Sequence, residues 1–226
     1  MNKADVMQSI RNIRSVYKRI LQADYVSDDE NSVSWRNYSP GINRSSPYIV
    51  DYRNLLDRQQ YSLLFMDNSF VQFYFKFDDR NNLKAAKLGY YPVPINSSLT
   101  VAQLYDEFDD ANDWLVDMLV EQIGAFSADD NVSNTSHLRF DFDSGASSHY
   151  KAHLQFGGVN EFRLSSEKVP LPFSFVDMVV KCFMKETWTA ESTTRQHQES
   201  TAFDLARFFH SEEKAKDSLF ITCVNS

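Results

Sequence analysis

The alternation of polar and apolar residues is sharpest between residues 137 and 163. The segment reads HLRFDFD, SGASS, HYKAHLQF, GGVN and EFRL in succession. Odd positions carry His137, Arg139, Asp141, Asp143, His149, Lys151, His153, Gln155, Glu161 and Arg163, and even positions carry Leu138, Phe140, Phe142, Tyr150, Ala152, Leu154, Phe156, Phe162 and Leu164. Successive side chains of a strand point to opposite faces. The pattern therefore predicts a β-ribbon with one apolar face and one face of ionisable groups. A five-residue glycine-containing loop at 144–148 suits a hairpin. A turn centred on Ala146 sets Asp143 opposite His149, Asp141 opposite Lys151 and Arg139 opposite His153. On the apolar side it sets Phe142 opposite Tyr150, Phe140 opposite Ala152 and Leu138 opposite Leu154. A second turn at Gly157–Gly158 brings Arg163 beside His153 if a bulge keeps the parity.

Elsewhere the pattern alternates between helix and strand. Val6, Ile10, Ile13, Tyr17 and Ile20 repeat at steps of three and four and predict a helix over 3–23, capped by Asn2 with Asp5 near its positive end. Its outer face carries Lys3, Arg11, Arg14, Lys18 and Arg19, a solvated face or a docking surface. Residues 26–46 read as loop with at most one short strand. Residues 47–95 are strand-rich, with YSLLFMD, SFVQFYFKF and AAKLGYYPVPI as three antiparallel strands, turns near Asn68 and at 78–82, and Pro92 and Pro94 placing the third strand at an edge. Phe73, Phe75 and Phe77 read as sheet packing ahead of a base-stacking platform. A helix over 101–123 opens with a Thr100–Gln103 capping box, and its many acids lie mainly off the apolar stripe. A helix over 172–186 follows Pro170 and Pro172, then a flexible polar stretch at 189–200, a short helix capped by Thr201 and a closing strand SLFITCV. These elements make a single α+β domain, an antiparallel sheet with helices on its faces.

Composition narrows the chemistry. A chain of 226 residues with 18 Phe and 11 Tyr buries a substantial core. The net charge of −8 disfavours generic attraction to nucleic acid, so such a role needs a local basic patch or a basic partner. Cys182 and Cys223 stand alone in apolar surroundings and read as buried thiols. The chain has neither an apolar run of membrane-spanning length nor an apolar signal core near Met1, which points to a soluble cytoplasmic protein.

The ribbon holds three of the five histidines. His149 and His153 are four apart on a strand, roughly 13 Å, too far to share one ion readily. No metal or other cofactor is therefore expected, although Asp141 and Asp143 keep a metal-dependent nuclease open as an alternative. A metal-free ribonuclease needs a base, an acid and cations for the phosphate. On this reading His149, His153 and Asp143 are catalytic, Arg139, Lys151 and Arg163 bind substrate, and Asp141 orients. The competing reading is an ordinary solvated sheet face, whose cross-strand charge pairs contribute about 0.2–1 kcal/mol each.

The run from His137 to Phe183 also resembles an uncharacterised bacterial family, domain of unknown function 2290. The shared pattern is an Arg-x-Asp strand (Arg139, Asp141), a His-x-x-x-His-Leu strand (His149, His153, Leu154), an Arg (Arg163) before a Pro-rich turn (Pro170, Pro172), and an apolar helix from Phe173. More weakly, the ribbon is similar to small ribonuclease-like toxins of toxin–antitoxin pairs. The resemblance implies a bacterial, cytoplasmic accessory of mobile or phage-defence gene clusters. The expectation is a defence or toxin-type protein that handles RNA or another phosphodiester on the ribbon face. The alternative is a non-catalytic subunit of a larger nuclease or ATPase effector. A protein partner, effector or antitoxin, is expected on either view, with RNA as a further partner and no membrane.

Overall fold

A computed structural model describes residues 1–39, 48–94, 136–147, 150–157 and 163–210. Within them a long antiparallel sheet runs β1 (Leu21–Asp24), β4 (Leu63–Phe65), β5 (Phe70–Phe77), β6 (Leu83–Tyr91), β7 (Leu138–Asp143), β8 (Ala152–Phe156) and β9 (Leu164–Ser165). The hairpin β2 (Val26–Asp29) and β3 (Ser32–Trp35) joins it through β3, which pairs with the far half of β5. A separate ribbon pairs β10 (Lys168–Val169) with β11 (Phe209–His210). The helices are α1 (Lys3–Val16), α2 (Tyr48–Asp57), α3 (Pro172–Phe183), α4 (Lys185–Glu191) and α5 (Arg195–Leu205). The class is α+β, with helices on both faces of the sheet.

Strand parity builds the core. Val71, Phe73 and Phe75 of β5, Ala86 and Leu88 of β6, Phe140 and Phe142 of β7, and Ala152 and Leu154 of β8 share one buried face. Val6, Ile10 and Ile13 of α1 and Val176, Val179 and Val180 of α3 close that face. On the other face, among the described residues, α2 covers one end, where Tyr52 joins Tyr61, Leu64, Phe70 and Tyr91.

Two buried polar networks pin the helices together. The Tyr17 hydroxyl donates to Asp177 Oδ1 at 2.5 Å, and His197 Nε2 meets the same oxygen at 2.6 Å. Asp204 Oδ2 accepts from Ser9 Oγ, Ser174 N and Ser174 Oγ, while Ser9 Oγ accepts from Phe173 N. Thus α1 and α5 together satisfy the first amide groups of α3, which has no side-chain cap of its own.

Several expectations change. The first helix ends at Val16 with the predicted Asn2–Asp5 cap, and a 3-10 turn over Lys18–Ile20 leads into β1. Its outer cations are partly engaged, with Lys3 pairing Asp28 and Arg14 pairing Asp24. Residues 26–35 form two strands rather than at most one. Tyr48–Asp57 is a helix inside the stretch read as strand-rich, because Tyr52, Leu55 and Leu56 bury at helical spacing against Phe70 and Tyr91. The turns at Asn68 (φ 65°) and Asn81 (φ 62°) lie where expected, with asparagine taking the left-handed conformation. β6 stops just before Pro92, yet it is interior, since β7 pairs along it. Helix spans 189–191 and 195–200 of the segment read as flexible, and Thr194 rather than Thr201 caps α5. Cys182 is exposed, because α3 turns its last residues away from the core. The helix read at 101–123, Cys223 and the closing strand lie outside the described residues. Among the described residues no helix is long and apolar enough to cross a membrane.

Burial raises the Asp204 carboxyl to about 6, against 3.8 for a free group, and three donated hydrogen bonds only partly offset it. The folded state therefore takes up this proton before the unfolded chain does. The stabilisation is complete below about pH 4 and is lost as pH rises through 6, a change on the order of 3 kcal/mol. Asp204→Asn retains an acceptor oxygen and cannot titrate. Urea denaturation of this variant at several pH values is expected to show that gain missing; an unchanged profile contradicts the assignment.

Candidate functional site

The ribbon face is one part of a larger polar field on the sheet. Hydrogen-bonded neighbours place Tyr74, Lys87, Asp141, His153 and Ser165 in one row across β5 to β9. The adjacent row holds Gln72, Gly89, Arg139 and Gln155, and the row on the other side holds Lys76, Ala85 and Asp143. Asp143 N also bonds the Lys151 carbonyl, which sets Lys151 beside that row.

This register corrects the predicted one. Asp141 faces His153 rather than Lys151, Arg139 faces Gln155 rather than His153, Phe142 faces Ala152, Phe140 faces Leu154 and Leu138 faces Phe156. The faces are as predicted, because a shift of two residues keeps parity. The cause is the loop. Asp143 Oδ1 accepts from Gly145 N at 2.8 Å, and Ala146 N bonds the Asp143 carbonyl, so a tight turn forms immediately after β7. Pairing resumes only at Lys151, which moves the hairpin centre from Ala146 to Ser147 and every partner by two. Ser165, not Arg163, stands opposite His153; Arg163 precedes β9 and is exposed.

Asp141 is the hub. Its Oδ2 accepts from Arg139 Nη2 at 2.5 Å and from Gln155 Nε2 at 2.7 Å, with His153 Nε2 at 4.0 Å. The side chains of Arg139 and Asp141 are only 24% and 15% exposed, so this pair is much less screened than a surface ion pair. His153 is 3% exposed and its Nδ1 donates to the Tyr150 carbonyl at 3.1 Å. A carbonyl only accepts, so this bond places a proton on Nδ1 and turns Nε2 toward Asp141. Asp141 Oδ1 and the Tyr91 hydroxyl are buried with no hydrogen-bond partner among the described residues.

Strands β5 and β6 contribute residues that the ribbon pattern did not reveal. The Tyr91 ring lies across Gly89, where an added Cβ would stand 2.9 Å from Tyr91 Cε2. Burial pushes the Tyr91 phenol upward, so it stays a donor at neutral pH. His137 stacks on Tyr91 with centroids 5.1 Å apart, and an added Cβ at Gly157 would strike its ring at 2.5 Å. Burial, with Arg139 nearby, lowers the His137 imidazole to about 4. Lys76 and Lys87 are exposed and have no ion-pair partner among the described residues. Their signal was present as the every-second-residue sets Gln72–Tyr74–Lys76 and Lys87–Gly89–Tyr91.

The structure therefore brings Arg139, Asp141 and His153 together. It sets Asp143 at an exposed loop start and Arg163 outside the strand pairing, and His149 lies outside the described residues. Among the described residues no group of three or more His, Cys, Asp or Glu side chains could hold a metal ion, so Asp141 and Asp143 gain no third ligand there.

Comparison with known proteins gives one match. The family described as Uncharacterized conserved protein (DUF2290) matches residues 17–221. Neither the curated proteins nor the solved structures contain a match to the chain.

Two outcomes follow from this geometry. Arg139→Leu leaves Asp141 half-satisfied in a poorly hydrated place and is expected to cost about 2–3 kcal/mol. Adding Asp141→Leu is expected to recover more than half of that in denaturant melts, whereas additive losses contradict the coupling. His137 titrates lower when folded than its ordinary 6.5, so the unfolded chain takes the proton first and stability falls from pH 6.5 to 4 by on the order of 3 kcal/mol. His137→Phe keeps an aromatic ring there and is expected to remove this acid loss in melts across that window; retention of the loss counts against it.

Proposed function

The chain belongs to the DUF2290 family of uncharacterized conserved proteins, and on that premise we propose that the polar face of its sheet binds a phosphodiester chain, in the first instance RNA. The observation that carries this reading is the pair Lys76 and Lys87. Both are exposed cations without an ion-pair partner among the described residues, on the same face as the Arg139–Asp141–His153 cluster. Lysines that neutralise phosphates release the counterions condensed on the nucleic acid, and this drives binding. Arg139 is oriented by Asp141 and retains guanidinium donors beyond that one bond. The local field thus supplies what the net charge of −8 withholds.

Binding is better supported than cleavage. His153 is buried and committed at Nδ1, so acid–base chemistry requires a second group, for which His149 is the candidate. The setting that accompanies this reading is a cytoplasmic bacterial protein of defence or toxin type that works with a protein effector or antitoxin. A second reading, a non-catalytic subunit of a larger effector, draws support from Phe183 and Leu205. These exposed apolar side chains end α3 and α5.

Fluorescence anisotropy with labelled RNA at about 50 and about 200 mM salt tests the binding. The expected result is affinity that falls steeply with salt and is weakened about tenfold or more by the Lys76→Glu/Lys87→Glu double variant. No binding at the lower salt overturns the reading. Cleavage of the same RNA in EDTA, absent from His149→Ala, would add metal-free catalysis to binding.

A further inference from the structure

An aromatic pair at one end of the polar field bears on the kind of RNA it would take, an inference that rests on the RNA reading above. Tyr74 points to the polar face from the middle of β5, directly opposite Lys87 on β6 and two residues from Lys76. Tyr38 comes from the segment after β3 and stacks on Tyr74 with centroids 4.9 Å apart and planes inclined by 14°. Trp35 meets Tyr38 edge-on at 4.9 Å. Tyr38 is nevertheless 38% exposed, so it is not a core residue.

The segment that presents Tyr38 is fixed by one buried side chain. Gln60 Oε1 accepts from Trp35 Nε1 at 3.1 Å and from Ser39 N at 3.0 Å, and Gln60 Nε2 donates to the Asn37 carbonyl at 2.6 Å. Three hydrogen bonds thus bracket Tyr38 on both sides along the chain. A rigid, part-exposed aromatic pair beside two cations with no ion-pair partner among the described residues is a preorganised surface that lowers the ordering cost of binding. Its chemistry is a flat apolar π-face with positive charge at the rim. That matches an unpaired base attached to phosphates. A duplex keeps its base faces stacked inside and offers only its backbone.

We propose that Tyr38 and Tyr74 form a base-stacking subsite for single-stranded RNA, with Lys76 and Lys87 contacting the flanking phosphates. The base lies against the exposed Tyr38 ring, which Tyr74 supports from below. Base–aromatic stacking tolerates any sequence, so the subsite selects strandedness rather than a motif.

The test is anisotropy on the full chain with three probes: a labelled single strand of about ten nucleotides, its blunt duplex, and the same strand with abasic positions. Circular dichroism melts confirm that each variant is folded. The expected result is tighter binding of the single strand than of either other probe. Tyr38→Ala is expected to weaken the single strand roughly 5- to 150-fold without changing the salt slope. Lys76→Ala/Lys87→Ala is expected to make the slope of log K against log salt shallower by about 1.4. Equal affinity for ordinary and abasic strands, or an unaltered Tyr38→Ala, overturns the stacking subsite while salt-dependent binding keeps the RNA reading. If the wild-type protein binds none of the three probes, both fall together.

Discussion

The fold depends on parity across four paired strands. From β5 to β8, alternate residues must face α1 and α3, so Phe75, Ala86, Phe142 and Ala152 line up on the buried side. A slip of one residue in β7 would drive Arg139 and Asp141 into that layer and bring Phe140 out. Burial of large side chains such as Phe73, Phe75 and Phe140, each contributing roughly 1.5–3 kcal/mol, makes that slip prohibitive. Parity alone does not select between registers two residues apart. That choice falls to the short-range chemistry of Asp143, Gly145 and Ala146, whose turn hydrogen bonds decide which polar groups meet on the other face.

Each side of the sheet holds a buried carboxylate with one oxygen crowded by donors and the other unmatched among the described residues, Asp204 on the helical side and Asp141 on the polar side. On the helical side Asp177 Oδ1 has both Tyr17 and His197, and Asp204 Oδ2 has three donors. These bonds tie α1, α3 and α5 into one unit and show little sign of access from solvent, since Asp177 and His197 are buried. On the polar face Asp141 concentrates its hydrogen bonds on one oxygen, and Oδ1 and the Tyr91 hydroxyl stay unmatched among the described residues. An unmet buried group costs about 1–3 kcal/mol, and folds retain few of them. What separates the two is access to solvent: Asp204 is 0% exposed, whereas the Asp141 and Arg139 side chains are 15% and 24% exposed.

The apolar half of the architecture was legible in the sequence because period-two alternation is a local signal. The Phe140–Phe142 and Ala152–Leu154 strands, the asparagine turns and the Asn2 cap could all be read from neighbouring residues. What escaped reading depends on distant partners. Tyr48–Asp57 reads poorly as a helix until Phe70 and Tyr91 are there to receive Tyr52. Helix α3 borrows its cap from Ser9 and Asp204, residues far away in the chain. The polar site was half legible. The ribbon declared Arg139, Asp141 and His153, but their arrangement turned on a two-residue register choice that hydrophobic pattern cannot see. Lys87, Tyr91 and Tyr74 were hidden in strands whose buried faces dominate their composition.

Net charge is a weak guide to what such a face can bind. At physiological salt, charges more than about 8 Å apart at the surface are largely screened from one another. What a phosphate meets on this sheet is set by its immediate neighbours. Asp141 is compensated by Arg139, the Asp143 carboxylate is turned into its own loop, and Lys76 and Lys87 carry no such compensation among the described residues. Other acids are engaged elsewhere, as Asp28 is with Lys3 and Asp24 with Arg14. An acidic chain can thus still leave single cations uncompensated on one face. Specificity on this face would come from where charge is left unpaired rather than from how much charge the chain carries.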